Sequence, residues 1–162
     1  QLALAEARHA GHPIIAMVIG RAISGAFLCH GLQADHILSL TSEFGTMIHV
    51  MPLSSIARIT RQDVERLSEL SRTNPVFAAG PEFFWQLGGV EALIQAIPEM
   101  KGTIVRHIAE VRQQKQAAGV TATGPQGRGI AGEARGGRKM RNVILAQMRE
   151  EYRAVAARYQ PA

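Results

Sequence analysis

From Ile14 to Ile19 the chain is apolar without interruption, bounded by Pro13 and Gly20. A run of that length between chain-breaking residues predicts a strand covered on both faces. Small and apolar residues from Ala26 to about Ala34 follow Ser24-Gly25 and predict a helix. Two more short apolar stretches, His36–Leu40 and Thr46–Val50, predict strands separated by the turn Thr41-Ser42-Glu43-Phe44-Gly45. Before the first strand, Leu2 to Ala10 reads as the tail of a helix stopped by Gly11-His12-Pro13.

Beyond residue 50 the pattern becomes mostly helical. Met51-Pro52 opens a helix, with proline suited to a first turn. Thr60 with Asp63 resembles a start signal ahead of Val64, Leu67 and Leu70. Asn74-Pro75 breaks that helix, and Gly80-Pro81 introduces Phe83-Phe84-Trp85. Gly88-Gly89 precedes Val90–Ile97, read as helical. Ile104, Ile108 and Val111 mark one face of a helix from about Glu99 to Ala118. Residues 119–138 hold seven of the sixteen glycines and read as a flexible loop. A final helix over 139–159 is drawn by Met140, Ile144, Met148, Tyr152, Val155 and Tyr159. Strand, helix, strand, strand and then mostly helices give an α/β class, and 162 residues suffice for one domain with a core.

Charge changes this picture in one respect. Residues 1–100 carry six Lys/Arg and nine Asp/Glu, whereas 101–162 carry twelve and four. A basic C-terminal part raises the expectation of an anionic partner. Aromatic content of 5%, not interleaved with the basic residues, speaks against a base-stacking nucleic-acid surface. No apolar run is long enough to span a bilayer, so no membrane role is expected. The single cysteine, Cys29, forms no intrachain disulfide and reads as a small buried residue in a reducing, cytoplasmic setting. The chain opens on Gln1 in what reads as mid-helix, which suggests missing upstream residues.

The chemistry concentrates between Ile14 and Pro52. A buried strand runs into Gly20-Arg21-Ala22-Ile23-Ser24-Gly25-Ala26 and then a helix. Small residues let a ligand approach the backbone, and a helix start offers unpaired N–H groups at its positive end. Such a junction suits an oxyanion hole for a thioester carbonyl that becomes an enolate. A simple packing turn has the same signature. Arg21 suits a carboxylate or phosphate but equally a solvated turn, while His30 and His49 are candidate proton donors or packed histidines. No metal-ligating pattern is apparent: His9 and His12 straddle a helix end, and no His-Glu-x-x-His occurs. Arg58 and Arg61 read as a solvated face. Gly124-Pro125-Gln126-Gly127-Arg128-Gly129 lacks the Gly-Lys-Ser/Thr ending of a phosphate loop; with Arg135, Arg138, Lys139 and Arg141 it could still grip an anionic arm.

The stretch Gly20–Leu28 resembles the glycine-rich oxyanion segment of carboxyltransferase alpha halves, as do Ala34-Asp35, the strand His36–Leu40, Glu43-Phe44-Gly45 and Met47–Pro52. Gly20–Ala34, Ile48–Met51, Ala57–Arg61, Pro75–Ala78 and Leu87–Val90 resemble, more narrowly, the gamma subunit of biotin-independent malonate decarboxylase. Ala26 stands where carboxyltransferases usually carry a second glycine, a change that leaves the backbone N–H in place.

The resemblance implies a crotonase-like (ClpP/crotonase, carboxyltransferase alpha-type) α/β fold, here without its N-terminal part, and a carboxy-lyase subunit. Malonyl carried as a thioester on an acyl carrier protein would lose carbon dioxide, leaving an enolate that is protonated to acetyl. It implies backbone oxyanion donors at Ile23, Gly25 and Ala26 beside Ser24. Gly20, Arg21, Ala22, His30 and His49 would lie around the substrate. It implies no cofactor or metal on this chain, the substrate riding on a phosphopantetheine-type, dephospho-CoA-derived arm. Expected partners are the beta subunit in a heterodimer, the carrier protein and the alpha, acyl-transferring subunit. Two alternatives stay open: the alpha half of a biotin-dependent acyl-CoA carboxyltransferase, and a non-catalytic scaffold subunit that binds the carrier.

Overall fold

The computed structural model describes residues 2–73 and 79–158, apart from the side chains of residues 72, 73, 126 and 157. Helix α1 (Leu2–His9) leads through Gly11 into strand β1 (Ile15–Val18); β2 (Arg21–Ile23), β3 (His36–Leu40) and β4 (Met47–His49) follow. Helices α2 (Leu53–Thr60), α3 (Val64–Thr73) and α4 (Pro81–Gln86) come next, then β5 (Ala92–Ile94), α5 (Met100–Ala118), α6 (Pro125–Ala134) and α7 (Arg141–Val155).

The strands make two parallel sheets, one in the order β1-β3-β5 and one pairing β2 with β4. Ile15 lies opposite His36 and Val18 opposite Ser39, while Leu38–Leu40 run beside Ala92–Ile94. All five residues of β3 are buried, as a central strand requires. Its alternation sorts the core into two clusters. Ile37 joins Val18, Phe27, Ala34, Ile48 and Val90, so this sheet face packs on the β2–β4 sheet and the segment after it. Leu38 and Leu40 point the other way and meet Ile94, Met17, Met100 and Ile104, so α5 covers that face. Small sheet, main sheet and helix therefore stack as three layers.

A buried carboxylate ties the layers together. Asp35 is fully buried between β1 and β3; its Oδ2 accepts from the Ile14 N–H at 2.8 Å, and its Oδ1 accepts from the Thr123 hydroxyl at 2.7 Å. Lys115 of α5 reaches Oδ2 at 2.8 Å and also donates to the His12 carbonyl at 2.8 Å. Because both oxygens of the buried carboxylate have partners, one of them a cation, the desolvation cost is offset rather than left standing.

Several expectations are corrected. Val90–Ile97 is not helical: Ala92–Ile94 is the edge strand β5, its register held where Glu91 N–H donates to Ile37 O at 2.7 Å and the Glu91 carboxylate accepts from Ile37 N–H. The segment expected as a helix over Ala26–Ala34 is a π-helical turn, Ala26–His30, followed by a 3-10 turn, Gly31–Gln33. The glycine-rich stretch 119–138 contains α6. Its glycines serve close packing: a Cβ on Gly132 or Gly137 would collide with the backbone of Leu87 or Gln86, and one on Gly88 with the backbone of Arg128 and Gly132. Helix α7 exists, but Met140, Ile144, Met148 and Tyr152 all lie exposed, so its apolar stripe belongs to no core among the described residues. Thr60 does not cap α3. Its hydroxyl donates back to Ile56 O at the end of α2, and Asp63 alone accepts from the Glu65 and Arg66 N–H groups. The Asn74-Pro75 break, the Pro75–Ala78 match and Tyr159 lie outside the described residues.

Candidate active site

Where β1 ends, Ile19-Gly20 carries the chain from the main sheet to the small one. The junction leaves a hollow of about 430 Å³, lined by Met17, Val18, Gly20, Arg21, Ala22 and Ala26 among others. A Cβ on Gly20 would touch nothing, so packing within the chain does not demand glycine there. The room above that backbone is open to a ligand. Arg21 is exposed at the rim and makes no ion pair among the described residues.

The next turn presents the donors. Met47 N–H donates to Gly20 O at 3.1 Å and Ser24 N–H to His49 O at 3.0 Å, so Gly20 and Ser24, at the two ends of β2, turn these backbone groups to β4. Ile23, between them in register with His49, turns its N–H to the opposite edge. Ser24 then takes the left-handed region at φ 47°, and its carbonyl accepts from Phe27 N–H at 3.1 Å and Leu28 N–H at 2.8 Å. Gly25 and Ala26 N–H groups precede any acceptor of that helical turn and have no backbone partner among the described residues. A positive φ at a non-glycine residue is a strained geometry that the surrounding turn must hold in place.

The expected residues divide. Gly20, Arg21, Ala22 and Ala26 share the hollow. Ile23, Ser24 and Gly25 form the turn beside it, outside its lining. His30 ends the π-helical turn and points outward. His49 lies buried in β4, its carbonyl accepting from the Ser24 N–H and its Nδ1 unpartnered among the described residues. Cys29 is exposed rather than buried.

The basic C-terminal residues do something the sequence did not disclose. Arg135 Nη1 donates to Trp85 O at 2.6 Å and Val90 O at 2.8 Å, and its guanidinium stacks 4.6 Å from the Trp85 ring. Arg138 donates to Leu87 O at 2.7 Å, and Arg128 to Leu32 O at 2.8 Å and to Ala34 O. These arginines staple α6 and the turn after it to the backbone of residues 32–34 and 85–91, which leaves them little capacity to grip an anionic arm. A wider hollow of about 850 Å³ runs past Arg138, Lys139 and Arg141 to Ile144. There Arg141 already faces Glu133 at 3.8 Å.

At the far end of β3 sits a cluster the sequence reading missed. His36 Nδ1 is 2.9 Å from His107 Nδ1, and His107 Nδ1 is 3.0 Å from Glu110 Oε2. Burial holds both histidines below the ordinary imidazole pKa. The neighbouring His107 lowers His36 further, while Glu110 opposes the shift on each. The local sign was a His-x-x-Glu pair on one helix face, but 71 residues separate His36 from His107. Burial also raises the Glu91 carboxyl, against the pull of Arg128.

The comparisons with known proteins fit this geometry. The model for the malonate decarboxylase gamma subunit family matches residues 2–152. The malonyl-S-ACP:biotin-protein carboxyltransferase MADD of Malonomonas rubra is 64% identical over 156 residues, covering 96% of this chain; the chain spans about half (53%) of that relative's length. A Pseudomonas malonate decarboxylase hetero-tetramer in complex with coenzyme A aligns over 92% of this chain and 56% of its own, at 29% identity and TM-score 0.63. The Pseudomonas MdcD-MdcE hetero-dimer aligns over 92% and 54%, at 25% identity and TM-score 0.64. With a family model matching nearly its whole length around a glycine-lined turn of free N–H groups, the chain belongs to the malonate decarboxylase gamma subunit family.

Proposed function

We propose that this chain, as a single crotonase-like domain, holds the thioester oxygen of a malonyl group while its carboxylate is removed. The reading rests on one observation: among the described residues the Gly25 and Ala26 N–H groups have no partner beside the Gly20 hollow, with the Ile23 N–H turned away from β4. Cleavage of the carboxylate bond pushes an electron pair onto the thioester carbonyl. Fixed N–H donors stabilise that oxyanion without reorganising, and losing one such donor typically costs about 3 kcal/mol. Ser24 shapes the turn, and Arg21 at the rim is suited to the departing carboxylate. His49, buried with a bare ring nitrogen, is better placed than the outward-facing His30 to exchange a proton near the enolate.

The substrate is malonyl on the arm of an acyl carrier protein, and the site is completed by a beta-type partner subunit in the cytoplasm, with an alpha, acyl-transferring subunit upstream. The MdcD-MdcE pairing of the Pseudomonas structure and the carrier substrate in the Malonomonas relative's name support this. Two fates of the carboxyl group follow. In the biotin-independent reading the enolate is protonated and carbon dioxide leaves. In the second, favoured by the 64% identity to a biotin-protein carboxyltransferase, the carboxyl passes to a biotin carrier. The enolate step is common to both.

The test measures loss of malonyl and release of carbon dioxide from malonyl-carrier thioester. It uses the complex of this chain with its partner subunit, with and without biotin carrier, and with avidin. Gly25→Pro removes one donor; the assembled variant should lose at least about 100-fold in rate. Activity without biotin carrier establishes direct decarboxylation, and avidin-sensitive activity that needs it establishes transfer. Full activity in an assembled Gly25→Pro complex would reduce this chain to a scaffold.

A further inference from the structure

We propose that His36, His107 and Glu110 form a binding site for a divalent transition-metal ion, of which Zn²⁺ is the best match, joining α5 to β3. The three candidate ligand atoms all lie within 4.8 Å of one another. His36 Nδ1 to His107 Nδ1 is 2.9 Å, and His107 Nδ1 to Glu110 Oε2 is 3.0 Å. Four-coordinate zinc with bonds of about 2.0–2.1 Å sets its ligands about 3.3 Å apart, so small ring movements would admit the ion.

Hydrogen bonding alone serves the cluster poorly. His107 Nδ1 carries either one proton or one lone pair, yet it faces both His36 Nδ1 and Glu110 Oε2 at bonding distance. One proton divided between two acceptors satisfies neither fully, and a lone pair there would face the carboxylate. A cation takes all three lone pairs together.

One of the two histidines has the orienting bond a ligand needs, while His107 Nε2 has no partner among the described residues. His36 Nε2 lies 3.2 Å from Gln114 Oε1, so an Nε2–H donating to that carbonyl leaves Nδ1 bare and aimed at the cluster. A metal-ligating histidine is oriented by such a bond. His107, Glu110 and Gln114 occupy successive turns of α5, which a helix brings onto one face. The cluster opens on a hollow of about 280 Å³ that also touches Asp35, Thr123 and Arg128, leaving room for a fourth ligand such as water. Glu110 is shared with Arg106 at 3.7 Å, a pair the metal would weaken. Because Ile15 pairs with His36 and Val18 with Ser39, the cluster lies at the opposite end of the β1–β3 ladder from the Gly20 hollow. The ion's role is therefore to clamp the helix to the sheet.

The full chain, stripped with EDTA and desalted, is titrated with ZnCl₂ by calorimetry and with CoCl₂ by visible absorption. The expected result is one equivalent per chain, an intense four-coordinate Co²⁺ band and a higher melting temperature with metal. Gln114→Ala should weaken binding about tenfold, and Glu110→Ala and His107→Ala more than about 100-fold. Cys29→Ser should leave binding unchanged. Glu110 is partly exposed, so Glu110→Ala keeps the test decisive if His107→Ala misfolds. Absence of stoichiometric binding, or unchanged affinity in Glu110→Ala, overturns the site.

Discussion

At the scale of single residues, the most demanding position is Asp35. Its charge is fully buried, and Lys115 is the one cation within ion-pair distance among the described residues. Lys115→Met keeps most of the stem that packs along α5 but leaves a buried carboxylate uncompensated. It should cost about 3–5 kcal/mol, read from urea unfolding. Asp35 was visible in the sequence as half of an Ala-Asp pair, but its role was not. The Ile14, Thr123 and Lys115 partners stand 21, 88 and 80 positions away, beyond any local pattern. The glycine turn was more legible because chemistry and spacing coincide there: Gly20 through Ala26 is one continuous stretch, and the free N–H groups follow from the helix start itself. What sequence could not supply is the left-handed backbone at Ser24, a conformation the residue type does not advertise.

At the scale of elements, strands with both faces covered announced themselves, and β3 has its expected bounds. The edge strand β5 did not. Val90–Ile97 interleaves Glu91, Gln95 and small residues in a way compatible with a helix, and the parallel ladder with Leu38–Leu40, led in by the Glu91 N–H donating to Ile37 O, decides in favour of a strand. Helix α6 was hidden by its glycines, which suggested mobility where they instead permit contact. Gly88 makes this testable. It combines φ 75° with a backbone neighbour in the space of a Cβ, so Gly88→Ala should destabilise by at least about 2 kcal/mol, measured by denaturant midpoint. Helix α7 offers the opposite case. Met148 is 59% exposed and Tyr152 58%. Replacing either by Glu in the isolated chain should change its stability by no more than about 0.5 kcal/mol in the same measurement. A larger loss would mean that the stripe is buried against this chain after all.

For the whole molecule, part of the uneven charge has a structural explanation: Lys115, Arg128, Arg135 and Arg138, four of the twelve basic residues in 101–162, bind carbonyls or carboxylates of the first hundred residues. Arg135 is the clearest staple, reaching the carbonyls of Trp85, Val90 and Glu91. Arg135→Met should lower unfolding free energy by about 1.5–3 kcal/mol, the range for hydrogen bonds with one charged partner. Because its acceptors are carbonyls, that loss should persist almost unchanged at high salt, which would erase an effect due to surface ion pairing. Among the described residues no helix is long and apolar enough to cross a membrane.

The Asp35 knot also imposes an order on synthesis. By the time a ribosome has released β1 and β3, the carboxylate between them exists, but Lys115 and Thr123 have yet to emerge. Closing the sheet around an unanswered charge costs several kcal/mol, about what Lys115→Met is expected to lose, so these strands consolidate only weakly before α5 arrives. Until then their apolar faces stay available to chaperones or to aggregation. A pause that holds residue 115 inside the ribosome would therefore harm the yield of native protein more than the same pause once residue 123 has emerged.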